Sequence, residues 1–166
     1  MRRRRILCLG LIVAAVQTVV AQSFPDRLAG TWSGVMFMSK DGKIRDSVHV
    51  RFTVKPGVTP DMWSWKTEYL SEKMPMTKDY TLKLQDANSQ VYAVDEGDGV
   101  VLYDYLFGDK LYGVFETQEV MLTSSYELRG AELIFEVTSG RKTAGGNGVT
   151  NYSVQHLQRA VLRRSP

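Results

Sequence analysis

Cysteine occurs once among the 166 residues, as Cys8, and histidine twice, as His49 and His156. Such scarcity argues against a disulfide-built fold, a thiolate metal centre and a cysteine nucleophile. Long apolar runs are missing too. The continuous stretch Ile6–Val16 is shorter than the roughly 20 residues a membrane-spanning helix needs. There is no His-x-x-x-His pair and no Gly-x-Ser-x-Gly elbow. Gly145-Gly146-Asn147-Gly148 lacks the Lys-Ser/Thr of a phosphate loop. The acidic turn Asp95-Glu96-Gly97-Asp98 lacks the register that brings roughly six oxygens to calcium. No metal site is expected.

The formal net charge of +3 is concentrated at one place. Arg2–Arg5 account for four of the 21 basic residues, which leaves 17 against 18 acidic ones from residue 22 onward. A near-neutral remainder gives no electrostatic case for nucleic-acid binding.

Those four arginines precede the apolar run, and Gln17-Thr18-Val19-Val20-Ala21 follows it. A charged start, an apolar centre and small residues at Val19 and Ala21 predict a signal peptide over residues 1–21. The mature chain is then expected to begin at Gln22, to lie in the periplasm or outside the cell, and to carry no integral membrane span. Cys8 sits near the start of the apolar run, where a lipoprotein would have it at the end.

From Gly30 onward the dominant period is two. In Ser47–Val54, Val48, Val50, Phe52 and Val54 share one face, and His49, Arg51 and Thr53 the other. Comparable runs cover Thr31–Met38, Met62–Leu70, Tyr80–Leu84, Val91–Val94, Val100–Phe107, Leu111–Glu116, Val120–Leu128, Leu133–Thr138 and Tyr152–Arg163. Asp41-Gly42, Gly108-Asp109 and Arg129-Gly130 read as tight hairpin turns, and Arg141–Thr150 as a longer loop. A short helix is expected near Ser23–Leu28 or Pro56–Asp61. The expectation is one all-β domain over 22–166. It is an antiparallel up-and-down β-barrel of about 8 to 10 strands, closed so that no edge is left unpaired.

The opening Leu28-Ala29-Gly30-Thr31-Trp32-Ser33-Gly34 resembles the first strand of the calycins, the lipocalin and fatty-acid-binding barrels, which carry Gly-x-Trp there. The resemblance implies that Trp32 plugs one end beneath a basic residue of the last strand. Spacing leaves Arg159, Arg163 and Arg164 open for that role, and Arg159 is set beside Trp32 as the closing residue. Gln155-His156-Leu157 also resembles the last strand of nitrobindin-like barrels. That resemblance implies haem as a cofactor with His156 as its ligand, on a face shared with Tyr152, Val154, Ala160 and Leu162.

A barrel of this kind implies a small apolar or amphipathic guest. Trp63, Trp65 and Tyr69 share one strand face, and Tyr103, Tyr105 and Phe107 another, so both rows are candidates to line the interior. Without haem, no cofactor is expected. The alternative is a cyclase or isomerase using the same interior, with Asp104, Glu68 and His156 as candidate acid–base groups. Asp104 reads either as a partly buried carboxylate, sharing a face with Leu102 and Leu106, or as an outward one.

Overall fold

The computed structural model describes residues 22–165, so the expected signal segment lies outside the described residues. A short helix α1 (Phe24–Leu28) precedes ten strands. These are β1 (Gly30–Lys40), β2 (Lys43–Pro56), β3 (Met62–Leu70), β4 (Met76–Asp86) and β5 (Val91–Gly97). The second half supplies β6 (Val100–Phe107), β7 (Lys110–Thr117), β8 (Val120–Arg129), β9 (Glu132–Ala144) and β10 (Thr150–Arg164). Each strand pairs antiparallel with its neighbour in sequence, and β1 also pairs with β10, which closes the barrel.

The hairpin chemistry read from the sequence explains the meander. Asp41 and Gly42, and likewise Asp98 and Gly99, take the left-handed backbone that tight hairpins require. The short helix forms at the first of its two expected places, and the loop expected over Arg141–Thr150 is shorter than the sequence suggests. Pro56–Asp61 is not a helix but a turn, in which Gly57 N donates to Met62 O at 2.7 Å and Met62 N to Thr59 O at 3.1 Å. Arg141–Ala144 and Thr150 join the ladder, and Gly145–Val149 is the turn between them. Thr150 pairs with Ala144 and Asn151 with Thr143, so polar residues extend the last hairpin past the barrel wall.

α1 lies across the end where β1 begins. Ser23 caps it, accepting from Asp26 N at 3.3 Å. Trp32 Nε1 donates to Leu28 O at 2.8 Å, and Trp63 Nε1 to Asp26 Oδ1 at 2.7 Å. Phe24 and Leu28 are thereby buried against the barrel's end. Above them the inward rows of β2, β3, β8 and β9 meet in an aromatic layer. Phe52 packs on Trp65 (centroids 4.8 Å) and Tyr126 (5.2 Å), and Tyr126 stacks on Phe135 at 4.5 Å. Each such side chain contributes about 1.5 to 3 kcal/mol through burial. The layer fills the barrel from the α1 end to its middle.

Candidate functional site

The aromatic layer stops short of the other end, where the β3–β4, β5–β6 and β7–β8 turns lie. Eight strands enclose an interior that side chains roughly fill, and ten enclose more. The surplus here is an interior chamber of about 210 Å³. Trp65, Tyr126 and Phe135 form its floor, and Tyr69, Leu102, Phe115, Leu122 and Val137 supply apolar wall. Thr67, Lys78, Tyr80, Glu96, Asp104, Ser124 and Gln158 supply polar wall. Wider depressions occur beside the mouth, along Met38, His49 and Met74 (about 660 Å³), and outside the α1 end, around Arg164 (about 810 Å³). Both open broadly to solvent. The chamber is the concavity that the barrel itself encloses.

Asp104 is its most unusual group. The side chain is 4% exposed and points inward between the outward-facing Tyr103 and Tyr105. Space for it comes from Gly113 on β7. A Cβ there would lie 2.2 Å from Asp104 Oδ1 and 2.8 Å from Ser124 Oγ. Burial, and then the charge of Glu96, push the Asp104 carboxyl up to about 6. Burial likewise raises Tyr80 to about 12, helped by the charge of Glu96 and its hydrogen bonding with the phenol. Tyr126 is pushed upward chiefly by burial. Trp65 Nε1 is fully buried, and hydrogen bonding from Trp65 and Thr67 to the Tyr126 phenol offsets part of that upward push.

Of the residues singled out by sequence, Trp65 and Tyr69 line the chamber. Trp63 faces inward but lies below the floor, bonded to Asp26. Tyr103, Tyr105 and Phe107 do not line it. They are 58%, 48% and 65% exposed, because the other row of β6, with Leu102, Asp104 and Leu106, takes the interior. Glu68 faces outward beside Arg51 (3.7 Å) and Lys66 (3.4 Å), away from any interior chemistry.

His156 lies on the inward row of β10 but exposed at the rim, opposite Lys40 and Ser139. A bulge at Gln155 separates it from Tyr152 and Val154, which the unbroken alternation had placed on its face. A haem would need the imidazole presented to a flat apolar slot. This imidazole is solvent-exposed and lines none of the cavities described, so the residues present do not fit a haem. Among the described residues no cluster of metal-ligating side chains occurs, and no helix is long and apolar enough to cross a membrane.

Barrel closure is carried by Arg164, whose guanidinium lies 4.5 Å from the centroid of the Trp32 ring. Arg159 instead pairs with Glu136 on the outer wall at 2.9 Å. The reason is register: Arg164 stands opposite Trp32, and Arg159 opposite Phe37. Sequence reasoning passed over Glu96, which sits in an acidic turn, and Lys78, Tyr80 and Tyr126. Parity alone could have found Tyr126, which shares a row with Leu122 and Leu128.

A closed up-and-down antiparallel barrel, opened by a plugging tryptophan and sealed by an arginine of the last strand, defines a calycin-like fold. Among solved structures the chain is similar to protein Rv2717c from M. tuberculosis. The TM-score is 0.55 at 17% identity, over 86% of this chain and 94% of that one. Looser similarity is found to a mutant of the fluorescent protein UnaG (17% identity, 84% and 97% covered, TM-score 0.47). It is also found to the siderocalin Ex-FABP, described as having dual ligand specificities (16% identity, 82% and 69% covered, TM-score 0.32). No protein-family model and no curated protein sequence matches the chain.

Proposed function

We propose that this is an exported binding protein whose barrel holds one small amphipathic molecule in the chamber. The observation that carries this reading is the 210 Å³ space itself, floored by aromatic rings and walled in part by polar groups. Pockets for small molecules combine an apolar lining with a few placed polar groups in this way. The space is small, about seven waters at liquid density, so the guest is a compact molecule and not a long acyl chain. Export is inferred from the arginine run and apolar core of residues 2–21.

Native mass spectrometry of protein purified from its own host tests the reading. A co-purifying small molecule, lost when Tyr69→Trp fills the chamber, supports it. Protein that arrives empty and takes up neither toluene nor tyrosol at millimolar concentration sinks it.

One observation favours a second reading, an enzyme of isomerase or cyclase type. A carboxyl raised to about 6 inside a cavity exchanges protons readily near neutral pH. On that reading Asp104 is the acid–base group, and Asp104→Asn abolishes turnover of a co-purifying molecule while leaving it bound. Unchanged turnover would dismiss it.

A further inference from the structure

The outer wall of β6 and β7 carries apolar surface that the barrel itself does not use. Val101, Tyr103, Tyr105 and Phe107 of β6 and Tyr112 and Val114 of β7 are each between 42% and 65% exposed. They form one continuous patch. Tyr105 stands opposite Tyr112, and the Phe107 ring lies 6.5 Å from Tyr105 and 6.1 Å from Tyr112. Polar side chains bound it, with Thr123 and Ser125 on β8 and Thr81 and Lys83 on β4. Four rings and two valines exposed to this degree present roughly 600 Å². That is the upper end of what a lone chain usually shows.

The same place is where the barrel wall is least closed. β6 and β7 pair only at Tyr105–Tyr112, Leu106–Leu111 and Phe107–Lys110, the shortest of the barrel's ladders. Leu106 N donates to Gln90 O at 3.0 Å, on the side of β5. Alternation therefore turns the backbone groups of Tyr105 and Tyr103 toward β7. At Tyr103 the ladder has already stopped, with Val114 across the seam. An open strand edge is a template for other chains, and proteins guard it with charge or cover it. Here Tyr103 and Val114 flank the seam on its outer side, which suits a covered edge.

Area and charge decide what covers it. At the mouth end of this wall Asp95, Asp98, Glu116 and Glu119 are exposed, and no salt bridge among the described residues engages them. Toward the α1 end stand Lys83, opposite Met62, and Lys110, next to the Asp109 that pairs with Arg27 of α1. Four carboxylates would repel an anionic membrane surface. A second copy turned end for end sets the acidic end of each chain against the lysines of the other. Two such patches together bury about 1,200 Å², where specific interfaces begin.

We propose that the outer face of β6 and β7 is a self-docking surface, on which a second copy of this chain packs the same face across a two-fold axis. The aromatic rows of the two β6 strands lie antiparallel, and each covers the other's seam. The two chambers then open at opposite ends of the pair.

Sedimentation equilibrium of the chain purified from its own host tests this. Between about 1 and about 500 µM the mass is expected to rise from one chain to two, with a dissociation constant of roughly 10 to 100 µM. Tyr105→Thr, at the centre of the patch, should weaken association about tenfold, and Phe107→Ser should act in the same direction. Ile44→Ser removes an equally exposed side chain from β2, on the opposite wall, and should leave association unchanged. In an equal mixture of unlabelled and heavy-nitrogen chains, a zero-length carbodiimide should join Lys83 or Lys110 of one copy to the acidic end of the other.

A single-chain mass at every concentration overturns the proposal. So does association that survives both Tyr105→Thr and Phe107→Ser, which puts the contact on another face. Links that join the lysines only to Asp86 or Asp109 of the other copy, at the α1 end, overturn the end-for-end arrangement. A different protein that co-purifies in place of a second copy, and is lost in Tyr105→Thr, overturns the choice of occupant. None of these outcomes touches the reading of the chamber, which is tested by its own guest.

Discussion

The Arg164 guanidinium lies over the Trp32 ring and donates to Ala29 O at 2.6 Å and Arg27 O at 2.5 Å. One side chain of the last strand thus ties the first strand to the end of α1. Gly30 has a φ of +120°, and a Cβ there would lie 2.9 Å from Arg164 Nη1, so the backbone is shaped around this arginine. Arg164→Ala removes a cation–π contact and two charged hydrogen bonds at a partly solvated site. The expected loss is about 1 to 2 kcal/mol in urea unfolding. Arg159→Ala removes a surface pair with Glu136 and should cost less than about 0.5 kcal/mol. The reverse order of effects would place the seal at Arg159 after all.

Much of this barrel is legible in the sequence because turn chemistry and alternation agree. Met62–Leu70 and Val100–Phe107 are strands at the boundaries that the pattern predicts. Trp32 is legible as the plug because Gly-x-Trp opens the strand meander. The arginine above it is not, since it depends on the β1–β10 register, which no local pattern encodes. β6 misleads for a related reason. In Val100–Phe107 both rows are apolar or aromatic, and the sole charged residue, Asp104, suggests that its own row faces water. The structure reverses this because Gly113, on the neighbouring strand, opens an interior niche for the carboxyl. The bulge at Gln155, which moves Tyr152 and Val154 off the row of His156, has no local signal either.

The buried carboxyl makes stability depend on pH. Asp104 rises from 3.8 to about 6 on folding, so the folded state binds the proton more tightly than the unfolded chain. The stability from this group is present in full below pH 3.8 and is lost as pH rises through about 6. Asp104→Asn removes the penalty of holding the charged form. At pH 7.5 the variant is expected to be roughly 2 to 3 kcal/mol more stable than the parent. That corresponds to a melting temperature higher by about 5 to 10 °C. At pH 4 the two should nearly coincide. Differential scanning calorimetry at the two pH values checks this, and a variant less stable than the parent at pH 7.5 contradicts it.

Gly113 and Asp104 should be energetically coupled. Gly113→Ala places a methyl group 2.2 Å from Asp104 Oδ1, so the carboxyl must leave its niche. The expected cost is about 1 to 3 kcal/mol, typical of overpacking. Asp104→Ala empties the niche and should relieve most of that cost. The double variant is then more stable than the sum of the two singles predicts, by about 1 kcal/mol or more. Additivity in a double-mutant cycle would mean that the two side chains do not compete for one space.

Processing of the first segment is open to direct measurement. If residues 1–21 are an export signal, intact-mass analysis of the extracytoplasmic fraction should give a chain starting at Gln22. That start lies two residues before α1, so cleavage leaves the Ser23 cap and the Asp26 contact with Trp63 in place. Replacing Arg2–Arg5 with glutamates should hold the full-length chain inside the cell. Full-length protein recovered from the cytoplasm of unaltered cells would remove export from the proposal.

The two rows of β6 give the sharpest check of which face is which. Tyr103 and Tyr105 project from the outer wall, exposed to 58% and 48%, whereas Tyr69 lines the chamber. Tyr103→Thr and Tyr105→Thr keep strand propensity and remove outer aromatic surface. Each is expected to change stability by less than about 0.5 kcal/mol and to leave tyrosol affinity unaltered. Tyr69→Ser, on the inner row, should weaken tyrosol binding severalfold, because it removes one wall of a small enclosure. Calorimetric titration of the three variants separates the faces. A loss of affinity in Tyr103→Thr but not in Tyr69→Ser would put the guest outside the barrel, against the aromatic surface of β6 and β7.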